Sequence, residues 1–291
     1  MELQQLRYVV AVAEEANFTR AAAKCFVVQS ALSHQIKRLE EELGVALFNR
    51  TSRRVELTAA GAAFVEEARS SLEHAERAAV EAAAAAGHIR GHLSVGVIPT
   101  VTAIDMPAAL KIFRKAHPQV HISLQVAGSH ELEAAISSGA VDIGLLGLPQ
   151  HRRPRGVAWR HLMSDESVAV VSSAHPLAGG RQLRLADLAE EVFADFPAGT
   201  PVRIESDQAF TAIGINRNVA FESIAIDLII ALVQEDLAIT LLPSKYVDHH
   251  PDLVSVPIAG GPTRSEYLAW SNFNPSPATQ AFLQIVGATD N

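Results

Sequence analysis

Apolar residues recur at helical spacing through the N-terminal part of the chain and predict three helices. The first helix has its apolar residues at Leu3, Leu6, Val10 and Ala13. This spacing places them on one face, and the polar Asn17 ends the helix. The second helix is short and alanine-rich, over residues 20–24, with Thr19 as its cap. The third covers residues 29–43, with Gly44 supplying its stop.

The third helix also has a polar face whose side chains can reach base edges or phosphates in a DNA major groove. Its members are Gln29, Ser30, Ser33, His34 and Lys37. Three short helices with a tight turn before the third form a helix-turn-helix. The alternating residues 45–57 then predict a β-ribbon, interpreted as a wing whose tip carries Arg50, Arg53 and Arg54. On these patterns alone, a small helical packing module with a solvated charged face remains the alternative.

A further helix is predicted after Thr58, which can serve as its cap. Its apolar residues follow at alternating spacings of four and three: Phe64, Ala68, Leu72, Ala75, Ala79, Ala82 and Ala86. This is a heptad seam, and a helix of about 30 residues would be roughly 45 Å long. Because so exposed a helix needs a partner, we expect it to pair with another helix. The alternative is a solvated spacer stabilised by alanine propensity.

From residue 92 onward, short apolar runs alternate with helical patterns. The first set of predicted strands is LSVGVI, VHISLQV and VDIGLLG, and the second is ESVAVVSS, EVFADF, NVAFES and LAITLLP. Strands and helices in this alternation predict βαβ units and parallel sheet, with ligands beyond the carboxyl ends of the strands. We therefore expect two lobes and an α/β multidomain protein.

Charge is distributed unevenly along the chain. The net charge is −8, but residues 1–58 contain eight Lys/Arg and seven Asp/Glu, so this segment is +1 and the rest carries −9. The single cysteine, Cys25, excludes an intramolecular disulfide and a thiolate-rich metal site, and we interpret it as a small core residue. No apolar run reaches membrane-span length and no secretory signal is evident, so we expect a cytoplasmic protein without a membrane partner.

Sequence motifs of catalysis are missing. The chain has no GxSxG elbow, P-loop, GxGxxG with a following acid, or HExxH helix, so we expect no enzyme, no catalytic residue and no cofactor. The pairs His249-His250 and His88 with His92 lack companion ligands, so no metal site is expected. The alternatives are a ligand-independent architectural DNA-binding protein, a pure ligand-binding protein and a two-lobed α/β enzyme.

The segments LRYVVAVAEEANFTRAAAKC, QSALSHQIKRLEEELGVALFNRT and VELTAAG closely resemble the N-terminal domain of LysR-type transcriptional regulators. The resemblance covers residues 1–61 without a gap. It implies that the polar face of the third helix lies at the DNA, that Thr19 and Arg20 hold backbone phosphates, and that the arginines serve the wing.

The chain departs from this family at three positions near the turn. Cys25 stands where leucine is usual, Phe26 where a polar residue is common, and Val28 where Ser or Thr usually precedes the glutamine. Loss of the hydroxyl at residue 28 removes a helix cap that contributes about 0.5–2 kcal/mol, which Ser30 could replace. Further along, Asp236 and Ala238 replace glycines that are common in the family.

The resemblance further implies a domain organisation. Residues 1–58 form the winged helix-turn-helix and residues 59–88 the linker helix. Residues 89–163 with 269–291 form lobe I, and residues 164–268 lobe II, of a periplasmic-binding-protein-like effector domain. The chain crosses between the lobes near Met163 and again near residues 267–270. Two linker helices pair antiparallel in a dimer that is expected to assemble into a tetramer, and the partners are promoter DNA, a small-molecule effector and RNA polymerase.

Residues just after strand ends would then face the effector. In lobe I these are Thr100, Val101, Thr102, Ser129, His130, Leu148 and Pro149, and in lobe II Thr200, Phe221 and Glu222. Helix starts favour an anionic group such as a carboxylate. The alternatives are that these residues cap their own helices and that Phe221 belongs to the core.

Overall fold

The computed structural model describes residues 1–50, 55–247 and 253–288, and backbone contacts separate two units, Met1–Gly87 and His88–Asn291. The N-terminal unit contains helices and a two-stranded antiparallel ribbon. They are α1 (Leu3–Glu15), α2 (Phe18–Lys24), α3 (Gln29–Leu43), β1 (Phe48–Arg50), β2 (Val55–Leu57) and α4 (Ala59–Ala85). The three predicted helices and the ribbon are therefore present, and α3 has the predicted bounds.

The second helix starts earlier than predicted because a different residue caps it. The side-chain oxygen of Asn17 accepts hydrogen bonds from the N–H groups of Thr19 (2.9 Å) and Arg20 (3.0 Å). Asn17 is thus the N-cap and Phe18 the first helical residue, whereas Thr19 was the predicted cap. Phe18 is buried and packs edge-on against Phe48 at 5.8 Å between ring centroids.

The core of this unit lies between α1, α2 and α3. Leu32, Ile36 and Leu39 of α3 are fully buried, as the predicted stripe requires. In α1 the buried face is rotated from the predicted one, since Val9 and Val12 are fully buried while Leu3 is 46% exposed. The half-buried Cys25 packs against this core, and burial raises the pKa of its thiol, in agreement with a packing role.

Side chains of α3 and of the loop before α4 fix the base of the ribbon. The carboxylate of Glu40 accepts hydrogen bonds from the N–H groups of Leu47 (2.8 Å) and Phe48 (3.2 Å). The hydroxyl of Thr58 donates to the carbonyl of Ala46 (2.7 Å) and accepts from the N–H of Gly61 (2.9 Å), capping α4 as predicted. The ribbon is thereby held against the end of α3.

Helix α4 has 27 residues, about 40 Å of helix. Along the predicted seam, Ala68 is buried and Phe64 and Leu72 are half-buried, whereas Ala79, Ala82 and Ala86 are exposed. The far half of the seam thus presents small apolar side chains to solvent in the single chain.

The C-terminal unit begins with two βαβ units. Its elements up to the long strand are β3 (Gly91–Val97), α5 (Met106–Ala116), β4 (Val120–Val126), α6 (Ser129–Ser137), β5 (Ile143–Pro149) and β6 (Ala158–Ser172). The elements after β6 are β7 (Leu183–Arg184), β8 (Val192–Asp195), α7 (Pro201–Thr211), β9 (Asn218–Glu222), α8 (Ile226–Gln234), β10 (Thr240–Pro243), α9 (Ser244–Val247), β11 (Leu253–Val256), β12 (Ile258–Ala259), β13 (Thr263–Trp270) and α10 (Pro277–Ala288), with short 3-10 helices at Pro176–Gly179 and Leu185–Leu188.

Strand β6 belongs to both lobes. The main sheet has the order β10-β6-β13-β5-β3-β4, with β3 parallel to β4 and β5. Residues 158–166 of β6 pair with β13, whereas residues 167–172 pair with β10 and β11. The first crossover therefore lies at Glu166 and Ser167, just beyond Met163. Helix α10 closes lobe I, and its Phe282 stacks edge-on against Phe113 of α5.

The return crossover differs from the expectation. Strand β13 pairs with β5 from Arg264 to Trp270, so it lies in the lobe I sheet over this whole stretch. The chain has thus already crossed before Thr263, and the boundary expected between residues 268 and 269 falls within a continuous strand. The strand register decides this position, and strand register is not visible in a single sequence.

One residue outside the sheet explains a departure from the resembled family. Asp236, where glycine is common, has a left-handed backbone with φ of 57°. Its carboxylate accepts a hydrogen bond from the hydroxyl of Ser172 at 2.7 Å. Asp tolerates this conformation better than most residues, so the turn is kept without glycine.

Among the described residues, no helix combines the length and apolarity needed to cross a membrane.

Candidate nucleic-acid interface and ligand cleft

Helix α3 presents its predicted polar face to solvent. Gln29, Ser30, His34 and Lys37 are exposed and Ser33 is half-buried. The ammonium of Lys37 lies 3.7 Å from the carboxylate of Glu41, one turn further along the helix. Such an exposed pair is weak, so Lys37 can exchange this partner for a phosphate. The geometry allows the predicted roles of these side chains in DNA contact, which stay predictions.

Two further residues predicted to contact DNA lie at the start of α2. Thr19 and Arg20 are both exposed. The guanidinium of Arg20 donates to the backbone carbonyl of Glu15 and lies 3.4 Å from its carboxylate. A phosphate would have to compete with Glu15 for this arginine. Of the predicted wing residues, Arg53 and Arg54 lie outside the described part of the chain, which includes only the backbone of Arg50.

The turn before α3 contains two exposed apolar side chains. Val28 is the N-cap of α3, in an extended conformation, and no side chain caps the helix, Ser30 included. Val28 is 68% exposed and Phe26 is 96% exposed. Phe26 also has a left-handed backbone with φ of 56°. The predicted loss of the cap at residue 28 is therefore confirmed.

A cleft lies between the lobes of the C-terminal unit, and its enclosed space measures about 30 Å³. It is lined by the end of β3, the starts of α6 and α7 and apolar residues of both lobes: Ile98, Pro99, Thr100, Gly128, Ser129, Gly147, Phe196, Thr200, Pro201, Val202 and Ile224. Its walls are mostly apolar with few polar groups, which is typical of small-molecule sites.

Two helix N-termini without side-chain caps meet at this cleft. Gly128 is the N-cap of α6 and has no side chain to offer. Thr200 is the N-cap of α7, but its hydroxyl donates to the carbonyl of Pro197 at 2.9 Å and caps nothing. The hydroxyl of Ser129 is likewise used internally, since it donates to the carbonyl of Gly147 and accepts from its N–H. The positive ends of two helix dipoles thus lie beside one cavity.

Three of the ten residues predicted to contact an effector line this cleft. They are Thr100, Ser129 and Thr200, whereas the other seven, Val101, Thr102, His130, Leu148, Pro149, Phe221 and Glu222, are not among its lining residues.

The packing explains most of these differences. Leu148 and Pro149 are buried in β5, and Val101 packs on the lobe I core. His130 is exposed beside Arg152, and Glu222 accepts a hydrogen bond from Arg203 at 2.9 Å. Phe221 is 36% exposed and lies in neither the cleft lining nor a core cluster, so neither alternative for it is supported.

Thr102 instead binds a buried ion pair that sequence reasoning missed. The carboxylate of Glu266 accepts from the N–H of Thr102 and, at 2.7 Å, from its hydroxyl. The guanidinium of Arg264 donates to Glu266 (2.6 Å) and to the hydroxyl and carbonyl oxygens of Thr100, each at 2.5 Å. Burial lowers the pKa of Arg264, and the charge of Glu266 opposes that shift. The pair therefore anchors the strand end that carries Thr100.

The sequence contains a signal for this ion pair, but it does not show that Thr100 and Thr102 bind to it. Arg264 and Glu266 are two residues apart in a strand whose second half, YLAW, is apolar, so they share one face of the sheet. A second carboxyl group, that of Glu205 on α7, lies near Arg264. Burial raises the pKa of Glu205 to about 7, and the charge of Arg264 opposes that shift. Lobe II thus places a titratable carboxyl group near the buried arginine of lobe I.

Among the residues that the structure describes, no group of three or more His, Cys, Asp or Glu side chains could hold a metal ion. His249 and His250 lie outside these residues.

Comparison with known proteins matches two family models to the chain. Residues 3–62 match the model "Bacterial regulatory helix-turn-helix protein, lysR family", and residues 86–290 match "LysR substrate binding domain". The two models together span both units of the structure.

Curated relatives and solved structures agree with these matches. The Hca operon transcriptional activator HcaR of Escherichia coli is 33% identical over 98% of this chain and 97% of its own length. The DNA-binding transcriptional dual regulator OxyR of the same organism is 31% identical over 85% of this chain and 80% of its own. A structure of full-length CbnR complexed with its target DNA has a TM-score of 0.67 at 28% identity, over 99% of this chain and 100% of that one.

Proposed function

This chain belongs to the LysR family of bacterial transcriptional regulators, and we propose that it binds DNA through α3 and the wing and is controlled by a small organic anion in the cleft of its C-terminal unit. It is a DNA-binding transcription regulator and not an enzyme. The residues that contact DNA, the class of effector and the assembly are the proposed parts of this function.

The exposed polar face of α3 supports the proposed DNA contacts. Lys37 carries a charge for phosphate, whereas the amide of Gln29 can pair with a base edge. Replacing Lys37 by Ala should weaken binding to all sequences and lower the salt dependence of the binding constant by about one phosphate contact. Replacing Gln29 by Ala should relax sequence preference instead. Titration by fluorescence anisotropy over a salt series checks both, with the exposed Arg181→Ala in the other unit as control.

The single observation that carries the effector proposal is the meeting of two uncapped helix N-termini at one cleft. Backbone N–H groups in the first turns of α6 and α7 have no intrahelical partner, and together with the helix dipoles they favour a carboxylate or similar anion. The hydroxyl of Thr100 lies beside them, oriented by Arg264. The apolar walls suit the body of the same molecule.

This proposal is tested with pairs of ligands that differ only in charge. Small carboxylates and their neutral amides are compared for their effect on the melting temperature of the whole chain and on its affinity for DNA. We expect some carboxylates to raise the melting temperature and to change DNA affinity, and Thr100→Val to weaken the effect. Equal responses to acid and amide would contradict an anion site.

We further propose that two copies pair through α4, in keeping with the oligomeric assembly of the family. The exposed Ala79, Ala82 and Ala86 allow close helix pairing, which would set two copies of α3 on two half-sites. Introducing Glu at Ala79 and Ala82 should lower the mass measured by analytical ultracentrifugation and weaken DNA binding. An unchanged mass would contradict this. RNA polymerase is proposed as a further partner because transcription regulators act on it.

A further inference from the structure

Two local features of the turn before α3 reduce the stability of the folded domain. Phe26 has a left-handed backbone, which costs a residue with a Cβ atom roughly 1–2 kcal/mol, and its ring is 96% exposed. Val28 occupies the N-cap of α3, where a hydroxyl or carboxamide would stabilise the helix, and is 68% exposed. Neither side chain gains interior packing in return.

Phe26 and Val28 are both exposed and lie two residues apart in the turn. They flank Val27, which packs against the core of the domain, and Val28 immediately precedes Gln29 of α3. Strained and exposed positions of this kind concentrate at functional sites, where a partner covers them. The partner nearest to this turn is the DNA that α3 is proposed to face. The turn is therefore continuous with the proposed DNA-binding face, beginning at the exposed Gln29 and Ser30.

DNA offers apolar groups at this place. The C5-methyl group of thymine projects into the major groove and is contacted by small apolar side chains in protein–DNA complexes. Without a side-chain cap, the first N–H groups of α3 also remain open to a phosphate oxygen. A residue with a hydroxyl at position 28 would occupy one of these N–H groups itself.

We propose that Phe26 and Val28 form an apolar contact with DNA at the N-terminus of α3, in which Val28 recognises a thymine methyl group and Phe26 packs on the adjoining sugar. This rests on the proposed function, because it requires α3 to face the groove. It adds a determinant of sequence preference to the polar residues of α3, and this determinant does not depend on salt, because no counterions are released by an apolar contact.

The test uses substitutions that should stabilise the fold and weaken binding at the same time. Val28→Ser restores a helix cap, and Phe26→Asn relieves the backbone strain. Each should raise the melting temperature of the N-terminal transition by roughly 2–4 °C or more. Each should also weaken binding to the preferred DNA site about tenfold. The salt slope should stay unchanged for Phe26→Asn and should fall by at most about one phosphate contact for Val28→Ser, whose hydroxyl occupies an N–H group otherwise open to phosphate. Leu3→Gln, at an exposed apolar position of α1, is the matched control and should do neither.

DNA with uracil in place of thymine, one position at a time, then tests the methyl contact itself. The wild-type chain should lose affinity at one or two positions in each half-site, and Val28→Ser should show no further loss at those positions. Additive losses at every position would overturn the thymine contact. Variants that bind DNA as tightly as the wild type, but activate or repress transcription less, would overturn the proposal in favour of a protein partner at this turn.

Failure of the proposed function would look different. In that case Lys37→Ala would leave the salt slope unchanged, and α3 would not be at the DNA. A normal response of Lys37→Ala together with unaltered binding by Val28→Ser and Phe26→Asn would overturn the apolar contact alone.

Discussion

Replacing Glu205 by Gln should stabilise the protein at pH 8 but leave it nearly unchanged at pH 4.5. Glu205 lies on α7 and is half-buried, and burial raises the pKa of its carboxyl group from 4.5 to about 7. The charge of Arg264 acts in the opposite direction but does not outweigh the loss of hydration. The folded state therefore holds a proton that the unfolded state has already released.

The direction of the pH dependence is set by this difference. Between pH 4.5 and about 7 the folded state binds more protons, so the free energy of unfolding falls as the pH rises through this window. The full shift corresponds to about 3 kcal/mol, and because the side chain is partly exposed we discount it to about 1–2 kcal/mol. Gln resembles the protonated carboxyl group at every pH, so the variant avoids this loss.

The assay is urea unfolding of the whole chain at pH 4.5, 5, 6, 7 and 8, followed through the transition of the C-terminal unit. The difference in free energy between Glu205→Gln and the wild type should rise with pH and level off above about pH 7.5. Glu190→Gln, a change of an exposed carboxylate in the same lobe, should show no such rise. A difference that is constant from pH 5 to pH 8 would refute the assignment of a raised pKa to Glu205.

Two further predictions concern buried contacts. Glu266→Gln leaves the charge of Arg264 buried with a neutral partner and should lower the free energy of unfolding by about 3–5 kcal/mol. Replacing both residues by Met should cost far less, and urea unfolding of the two variants decides this. Gly61→Ala places a Cβ atom against the carbonyl oxygen of Leu47 and should lower the free energy of unfolding, measured by thermal unfolding, by about 1–3 kcal/mol. Gly128→Ala, where nothing lies within 4 Å of the added atom, should lower it less. Equal losses of stability in the two variants would contradict the close approach at Gly61.

Much of the N-terminal unit could be predicted from the sequence because its signals are local. Apolar spacing and Gly44 suffice for the bounds of α3, and Thr58 for the start of α4. The start of α2 was mispredicted by two residues, because Asn17 and Thr19 are both good caps and the choice between them depends on backbone geometry.

The cleft could be predicted only in part because its lining depends on tertiary packing. Thr100, Ser129 and Thr200 are expected from the rule that ligands bind beyond strand ends. Which neighbouring residue faces the cavity depends on the register and twist of the sheet, so Leu148 proved to be core. The burial of Arg264 beneath Thr100 arises from a pairing across more than 160 positions of the chain, which local patterns do not contain.

Effector-controlled, sequence-specific DNA binding is tested most directly by the affinity of the whole chain for DNA upstream of its own and neighbouring genes. This affinity is measured by mobility shift over a salt series, with and without small carboxylates. We expect a preferred site with two half-sites, affinity that falls steeply with salt, and a shift in affinity caused by at least one carboxylate. Equal binding to every DNA sequence, unaffected by any carboxylate, would instead indicate an architectural protein and contradict both the sequence preference and the effector control proposed for this chain.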